Sequence, residues 1–520
     1  MEGTGTDGRF KVIIVGAGVS GLYLAHALAK ADMDYVVLDK HPVAPAWGSS
    51  ISLFPSSVRI LDQVGLHDAV AAKTTEMRDF HIRGPDGKTY ASGPFFHVFA
   101  DAAGYCSMTF ERRVFLQTLY DELPDKSKVI EHARVSGIVE DEEATNGRVR
   151  VVLADGGVHE GDVVIGCDGI HSAVRQLLWE RAHRLRPGLI TVDEKQRIRA
   201  TYTALTGIAP YQPGSVGGLA MSSTAHDGFS FLFLTQPDHL YFSVFIHHLP
   251  GGGGGNGSHL GPGAVSKYPN RLRFTDADAD AVAARVLDCP VSETLVFGDI
   301  WKARKRGQLI ALEEGVLSHW SLGRTVLCGD SAHKVTPNAG FGGNLSLEGA
   351  AVLANELYAA VETARKRGEG RTRGRGSPPT RRFAAPSPTT GRPTSPGPTT
   401  STSAGSYREW TSFHLPLPCI RAYSFYSLSL LSAARYIAVC VADAPKLSFV
   451  HFHERSGSVR WEKQRWERPG EKTAWPLLRS LGRTASSGPI ALAISLYVFF
   501  SYVAGAWYLG FGRGVKTSLD

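Results

Sequence analysis

Apolar residues along this chain fall first into short unbroken runs and helical stripes separated by small residues. Phe10 to Val15 is a continuous apolar run of strand length apart from Lys11; it breaks at Gly16-x-Gly18-x-x-Gly21 and resumes at helical spacing through Leu22, Ala25, Leu28 and Ala29. A second run, Tyr35-Val-Val-Leu-Asp39, ends in a carboxylate 18 residues after Gly21. Further on, Ser56 to Val64 reads as a helix ending at Gly65. Val114, Phe115, Leu116 and Leu119 give a helical stripe within Thr109 to Tyr120, with Arg112 and Arg113 at its start. Val149 to Leu153 and Asp162 to Ile165 read as strands about an Asp155-Gly-Gly turn, the second running into Gly166-Cys-Asp168-Gly169 and a helix start near Ser172 and Arg175. The pattern then changes: over 199 to 250, aromatic and β-branched runs such as Phe229 to Thr235 and Leu240 to His247 predict an antiparallel sheet. A third strand, Arg324 to Asp330, leads through a glycine-rich turn ending at Asn344 into a helix over Leu345 to Ala360.

These elements predict an α/β fold: a Rossmann-like nucleotide-binding domain over 8–200 and 301–364, with an antiparallel substrate domain over 201–300. Residues 365–405 are low complexity, a linker, and 406–485 show no clear period. Ile490 to Leu509 is an uncharged, mostly apolar stretch edged by Trp507 and Tyr508. At ~1.5 Å per residue it is long enough for a ~30 Å hydrocarbon core, so a C-terminal transmembrane helix is expected there, a buried core helix being the alternative.

Composition changes this picture little. The 520 residues leave room for two or three domains, and the formal charge of +7 is concentrated between Arg365 and Arg382, in the linker, so no nucleic-acid partner is inferred from it. The six cysteines are scattered without CxxC or metal-ligand spacing and read as small apolar residues in a reducing compartment. No metal site is expected, and residues 1–9 are too polar for a signal peptide.

The chemistry lies in the glycine turns. Gly16 allows a tight turn, Gly18 has no side chain to hold a pyrophosphate away, and Gly21 lets helix and strand approach, while the helix N-terminus offers free N–H groups. Asp39 stands where a ribose hydroxyl needs an acceptor. Asp168-Gly169 repeats the close backbone approach, and Asp330 can accept from a polyol beside the free amides of Gly340, Gly342 and Gly343. His333 has no evident partner and reads as structural.

Gly16-x-Gly18-x-x-Gly21 with Asp39, then Gly166-Cys-Asp168-Gly169, then Cys328-Gly329-Asp330, in that order, resemble the group A flavin-dependent monooxygenases of the p-hydroxybenzoate hydroxylase fold. The run from Gly329 to Asn344, with Trp320-Ser-Leu-Gly-Arg324 before it, is most similar to the fungal branch that epoxidises prenyl chains in indole-diterpene and meroterpenoid pathways. The resemblance implies FAD as cofactor and NAD(P)H as co-substrate. Gly16, Gly18 and Gly21 would hold the pyrophosphate and Asp39 the adenosine ribose, where that branch usually has glutamate. Arg112 matches a flavin-contacting arginine, and Gly48 and Ser52 lie in the loop beside the flavin, where relatives often carry glycine at the second position. Asp168 and Gly169 match a motif tied to FAD and NAD(P)H. Asp330 would bind the ribityl chain, and Gly343 with Asn344 would sit by the pyrimidine edge. Tyr202 matches a tyrosine on the substrate-facing sheet, a catalytic candidate against the plainer reading of a core aromatic. The implied activity is delivery of one oxygen atom of O2 to a prenyl double bond of a small lipophilic substrate, or, alternatively, hydroxylation of an aromatic ring; a catalytically silent flavin-binding membrane protein is a third reading. A single-pass C-terminal anchor would place the chain on a membrane, the endoplasmic reticulum, with the catalytic part cytosolic.

Overall fold

The computed structural model describes residues 10–45, 48–140, 147–211, 216–226, 228–247, 266–267, 273–337, 340–369 and 446–450. The expected transmembrane helix at 490–509, and nearly all of 365–485, lie outside the described residues. Among the described residues no helix is long and apolar enough to cross a membrane.

The chain opens with β1 (Lys11–Val15), α1 (Val19–Lys30), β2 (Asp34–Leu38), β3 (Ser50–Leu53), α2 (Pro55–Gln63) and α3 (His67–Ala71). Then come β4 (Asp79–Arg83), β5 (Thr89–Gly93), α4 (Phe95–Ala103), β6 (Met108–Glu111), α5 (Arg112–Asp121), β7 (Val129–Ile130), β8 (Val135–Val139), β9 (Val149–Leu153), β10 (Val158–Gly161) and β11 (Val163–Gly166). After α6 (Ala173–Leu185) and α7 (Val192–Lys195) follow β12 (Arg199–Pro210), β13 (Ala220–Ala225), β14 (Phe229–Thr235), β15 (His239–His247) and β16 (Ser266–Lys267). The last elements before residue 370 are α8 (Asp276–Ala284), α9 (Phe297–Lys302), β17 (Arg306–Val316), β18 (Ser321–Leu322), β19 (Thr325–Leu327), β20 (His333–Lys334) and α10 (Phe341–Glu369).

β1 is apolar at nearly every position because both of its faces are covered. Val12 and Ile14 pack with α1 and α10 residues, whereas Ile13 and Val15 pack on the opposite side against β9 and α6. The six-stranded sheet runs β18-β19-β11-β1-β2-β7, parallel except at β18. Its register aligns Val15 with Leu38 on one side and with Gly166 on the other, and Gly166 with Leu327. The turns after four strands therefore leave from one edge, on both sides of β1, which is where doubly wound sheets bind ligands.

The sheet formed by the stretch expected to be antiparallel is larger and mixed: β20-β17-β12-β15-β14-β13-β4-β5, with β16 beside β12 and a parallel β13–β4 pair. It thus draws strands from residues 79–93 and 306–334. One face, through Leu205, Phe231, Phe233, Phe242 and Val244, is buried under α8 and α9. α10 begins at Phe341 and runs to Glu369, longer at both ends than its apolar stripe indicates; the C-terminal extension is rich in good helix formers such as Ala364, Lys366 and Glu369, whereas the first turn, Phe341 to Asn344, is not and is tied to β3 through Asn344. Of the cysteines, Cys167 and Cys328 are buried, but Cys106 and Cys289 are only half-buried.

Candidate cofactor and substrate site

At the first turn Gly16 has φ +109° and donates its N–H to the Leu38 carbonyl at 2.7 Å. A Cβ there would lie 2.5 Å from the Cys167 carbonyl oxygen, and one at Gly21 would collide with the Gly16 carbonyl. The chain itself requires both glycines. Gly18 is different: a Cβ would meet nothing within 4 Å, at the N-cap of a 12-residue helix that no side chain caps. Asp39 locks this turn to β2, its carboxylate accepting from the N–H groups of Ala17 (2.6 Å) and His41 (2.8 Å).

At the second turn Asp168 accepts from Ser172 Oγ (2.5 Å) and from the N–H groups of Ala173 (2.6 Å) and Val174 (3.1 Å), capping α6. Burial pushes its carboxyl pKa up against the pull of these bonds. Gly169, at φ +76°, again faces open space. Buried Arg175 ties this turn to the third, donating to the carbonyls of Ile170 (2.6 Å) and Ser331 (3.0 Å).

At the third turn Ser331 Oγ donates to the Gly166 carbonyl at 2.6 Å, and Gly329 sits so near Ser20 of α1 that a Cβ would overlap its hydroxyl. Asp330 is paired with Lys334, Nζ to Oδ2 at 2.6 Å. Burial alone would lower the Lys334 pKa, but Asp330, with Glu313, outweighs it and holds the ammonium above the usual lysine range. Arg112, the first residue of α5, feels burial, which lowers its pKa, opposed by Asp330 and Asp39. Among the described residues its guanidinium has no hydrogen-bond partner. A cation thus stands free within the field of the two acids expected to hold the two halves of one cofactor.

The remaining residues form a clip between β3 and the start of α10. Asn344 Nδ2 donates to the carbonyls of Ser52 (2.9 Å) and Gly340 (2.8 Å), and its Oδ1 accepts from the Phe54 N–H at 2.8 Å. The carboxamide is fully engaged by protein. Gly343 lets α10 pack on Ile51, whose Cδ1 would be 2.6 Å from a Cβ, whereas Gly342 faces open space. Ser52 Oγ bonds Thr109 Oγ1 at 3.0 Å. The Gly48 carbonyl accepts from Arg306 Nη2 at 2.8 Å, which joins this loop to the large sheet. His333 is buried against the Trp320 ring at 5.3 Å, its pKa lowered chiefly by burial, in keeping with a structural histidine. Tyr202 lies apart from the turns, 5% exposed on β12 with Ala204, Phe245 and Leu312.

The structure therefore brings Gly16, Gly18, Gly21, Asp39, Asp168, Gly169 and Asp330 to one sheet edge, with Gly48, Ser52, Arg112, Gly343 and Asn344 on the adjoining clip. Lys334 and Arg306 were not singled out by sequence, since Arg306 acts through partners more than 100 residues away and Lys334 through an ordinary i,i+4 pair that carries no motif; Arg175, legible at the helix start, joins its turn to Ser331 across 156 residues.

A parallel sheet with three glycine turns on its carboxyl edge, beside a broad mixed sheet, defines a dinucleotide-dependent oxidoreductase architecture. The chain belongs to the FAD binding domain family, which matches residues 9–203 and 300–369. It is 41% identical over 458 residues to the FAD-dependent monooxygenase DEP2 of Alternaria brassicicola, covering 88% of this chain and 82% of that protein. It is 36% identical to the FAD-dependent monooxygenase dpchE of Colletotrichum higginsianum, over 69% of this chain and 74% of that one. In fold it is similar to Klebsiella pneumoniae HpxO complexed with FAD and uric acid (TM-score 0.53, 21% identity, 69% of this chain and 82% of that one). The protein is an FAD-dependent monooxygenase. FAD fits the residues present: open space at Gly18, Gly169 and Gly342 leaves room for backbone approach, and Arg112, whose guanidinium makes no hydrogen bond among the described residues, offers the cofactor a cation.

Proposed function

We propose that this monooxygenase uses NAD(P)H and O2 to epoxidise a prenyl double bond of a lipophilic intermediate in terpenoid or meroterpenoid biosynthesis. The balanced reaction is alkene + O2 + NAD(P)H + H+ giving epoxide + NAD(P)+ + H2O. FAD, when bound, supplies the redox chemistry and the activation of oxygen. The chain's own residues bind and orient. Gly16, Gly18 and Gly21 admit the diphosphate to the α1 N-terminus, Asp39 and Asp330 accept from the two polyol portions, Arg112 balances charge, and Gly48, Ser52, Gly343 and Asn344 shape the loop around the reacting ring. Asp168 and Gly169 hold the turn between them.

The observation that carries the reading is the apolar face of the large sheet turned away from α8 and α9. It carries one apolar cluster, Phe80 and Ile208 with Phe96 and Phe99 of α4 packed on them, and another around Tyr202, Phe245 and Leu312. Apolar walls exclude water and suit a hydrocarbon substrate. In this reading Tyr202 is part of that wall. Residues 490–509 would anchor the protein in the membrane into which such a substrate partitions, with the catalytic part cytosolic.

Membranes containing the protein, incubated with prenylated candidates, NADPH and isotopically labelled O2, are expected to consume NADPH in a substrate-dependent way and give a product heavier by one labelled oxygen at an alkene. A label on an aromatic ring would instead establish ring hydroxylation, and flavin loading without substrate-stimulated NADPH oxidation would mean that the chain binds FAD silently.

A further inference from the structure

Between the two apolar patches on the face turned away from α8 and α9 runs a line of different character. The register places Gln308, Thr206, Ser243, Leu232, Ser223 and Ile82 side by side across β17, β12, β15, β14, β13 and β4. The rows on either side are largely apolar: Ala204 and Phe245 on one, Ile208, Tyr241 and Leu234 on the other. Gln308, Ser243, Leu232 and Ser223 are half-buried, so the line lies at the open part of the face, whereas Tyr241 and Phe245 are buried. It also adjoins the cofactor clip, since Ser49 Oγ donates to the carbonyl of Gly207, next to Thr206, at 3.2 Å.

Thr206 is the anomaly in this line. It is 6% exposed, and its Oγ1 has no hydrogen-bond partner among the described residues. An unmade hydrogen bond on a buried hydroxyl is costly, and valine would fill the same space in a strand without that cost. Ser243 is directly opposite in the pairing with β15, so its Cβ stands roughly 5 Å away, near enough for both hydroxyls to reach one ligand oxygen after rotation about χ1.

We propose that Thr206 and Ser243 are the polar anchor of the substrate face, binding a hydroxyl or carbonyl oxygen of an otherwise apolar substrate whose skeleton lies along the half-buried line, between the flanking apolar patches. The anchor sets how far along that skeleton the reacting double bond lies, and so which one reaches the cofactor. This rests on the lipophilic-substrate reading above and adds to it a specificity determinant.

The test uses FAD-loaded protein and prenyl alcohols of about ten to twenty carbons, each paired with its hydrocarbon, with binding read from perturbation of the flavin spectrum. Wild type is expected to bind the alcohols roughly ten-fold more tightly than the hydrocarbons. Thr206→Val and, separately, Ser243→Ala are expected to bring that ratio to within about two-fold while hydrocarbon affinity and flavin content stay the same. Thr206→Val is also expected to keep or raise the melting temperature, which a structural hydroxyl would not allow; should it lose flavin, Ser243→Ala decides alone. Equal binding of both probe classes by wild type, or a preference that survives both substitutions, would overturn the anchor but leave the lipophilic-substrate reading standing. If neither class perturbs the flavin, that reading fails and the anchor fails with it.

Discussion

The two sheets of this protein contribute to its site in opposite ways. The parallel sheet works through its edge. Successive turns place backbone amides, bare Cα atoms and a few acids beside one another, and the side chains of the strands themselves are buried on both faces. The large mixed sheet works through a face, and what it offers is a pattern of side chains in register across strands that are up to about 230 residues apart in sequence, from Ile82 to Gln308. Edge sites tolerate almost no change in backbone position, because each turn is packed on the next: Gly16 on Cys167, Arg175 on Ser331, Gly329 on Ser20. Face sites can exchange side chains without moving backbone. The first kind suits a constant cofactor and the second a variable substrate.

Removing an edge acid should show the difference most strongly. Asp330→Ala deletes the proposed cofactor acceptor and leaves Lys334, at 24% side-chain exposure, without its 2.6 Å partner. Flavin affinity is expected to fall roughly a hundred-fold or more, so that the protein purifies colourless. A variant that purified fully loaded with FAD would refute the role given to Asp330.

Two glycine substitutions sharpen the distinction within one turn. Gly21→Ala forces a methyl onto the Gly16 carbonyl and should cost about 1–3 kcal/mol of stability, read as a lowered melting temperature of the apoprotein. Gly18→Ala meets no protein atom within 4 Å, so the apoprotein should melt as wild type while FAD affinity drops by about ten-fold. Equal loss of apoprotein stability in both would mean that Gly18, too, is a packing glycine.

The same contrast explains what could be read from sequence. The edge was legible because its parts are local: a glycine spacing, an acid after a strand and a helix start are each written within about 30 residues, and three such turns in order point to one extended ligand. What each residue does there was less legible. Asp168 reads as a ligand acid but caps α6, and Asn344 reads as a cofactor contact while its carboxamide holds β3 to α10. The face was nearly invisible, since Thr206 and Ser243 become neighbours only through the β12–β15 register. The short strand β6, immediately before α5, was hidden because Met108 to Glu111 merges with the helical stripe that follows. Residues 446–450 gave no periodic signal, yet Leu447 is 1% exposed and held on both sides by Gln63, its N–H at 2.7 Å and its carbonyl at 3.0 Å. Such a docking is specified by the groove that receives it, between α2 and α10, and not by the pattern of the docked residues.

Tyr202 is where edge and face reasoning give different answers, and a small change separates them. Resemblance marks it as catalytic, and its place on β12 is on the substrate face, but it is 5% exposed and packed with Ala204, Phe245 and Leu312 at the far side of the polar line from Ile208 and Tyr241. Tyr202→Phe keeps the ring and removes only the hydroxyl. If the ring is wall, turnover and the ratio of product to NADPH consumed should change by no more than about two-fold, with a stability change of about 1 kcal/mol. If the hydroxyl takes part in the chemistry, turnover should fall by a factor of about 100 or more while substrate binding is kept, since a proton donor or acceptor acting on the reacting atoms contributes at that scale. The first outcome leaves the face as a surface that binds and positions, with all the reactivity at the edge; the second moves one reacting group onto the sheet and breaks the division between them.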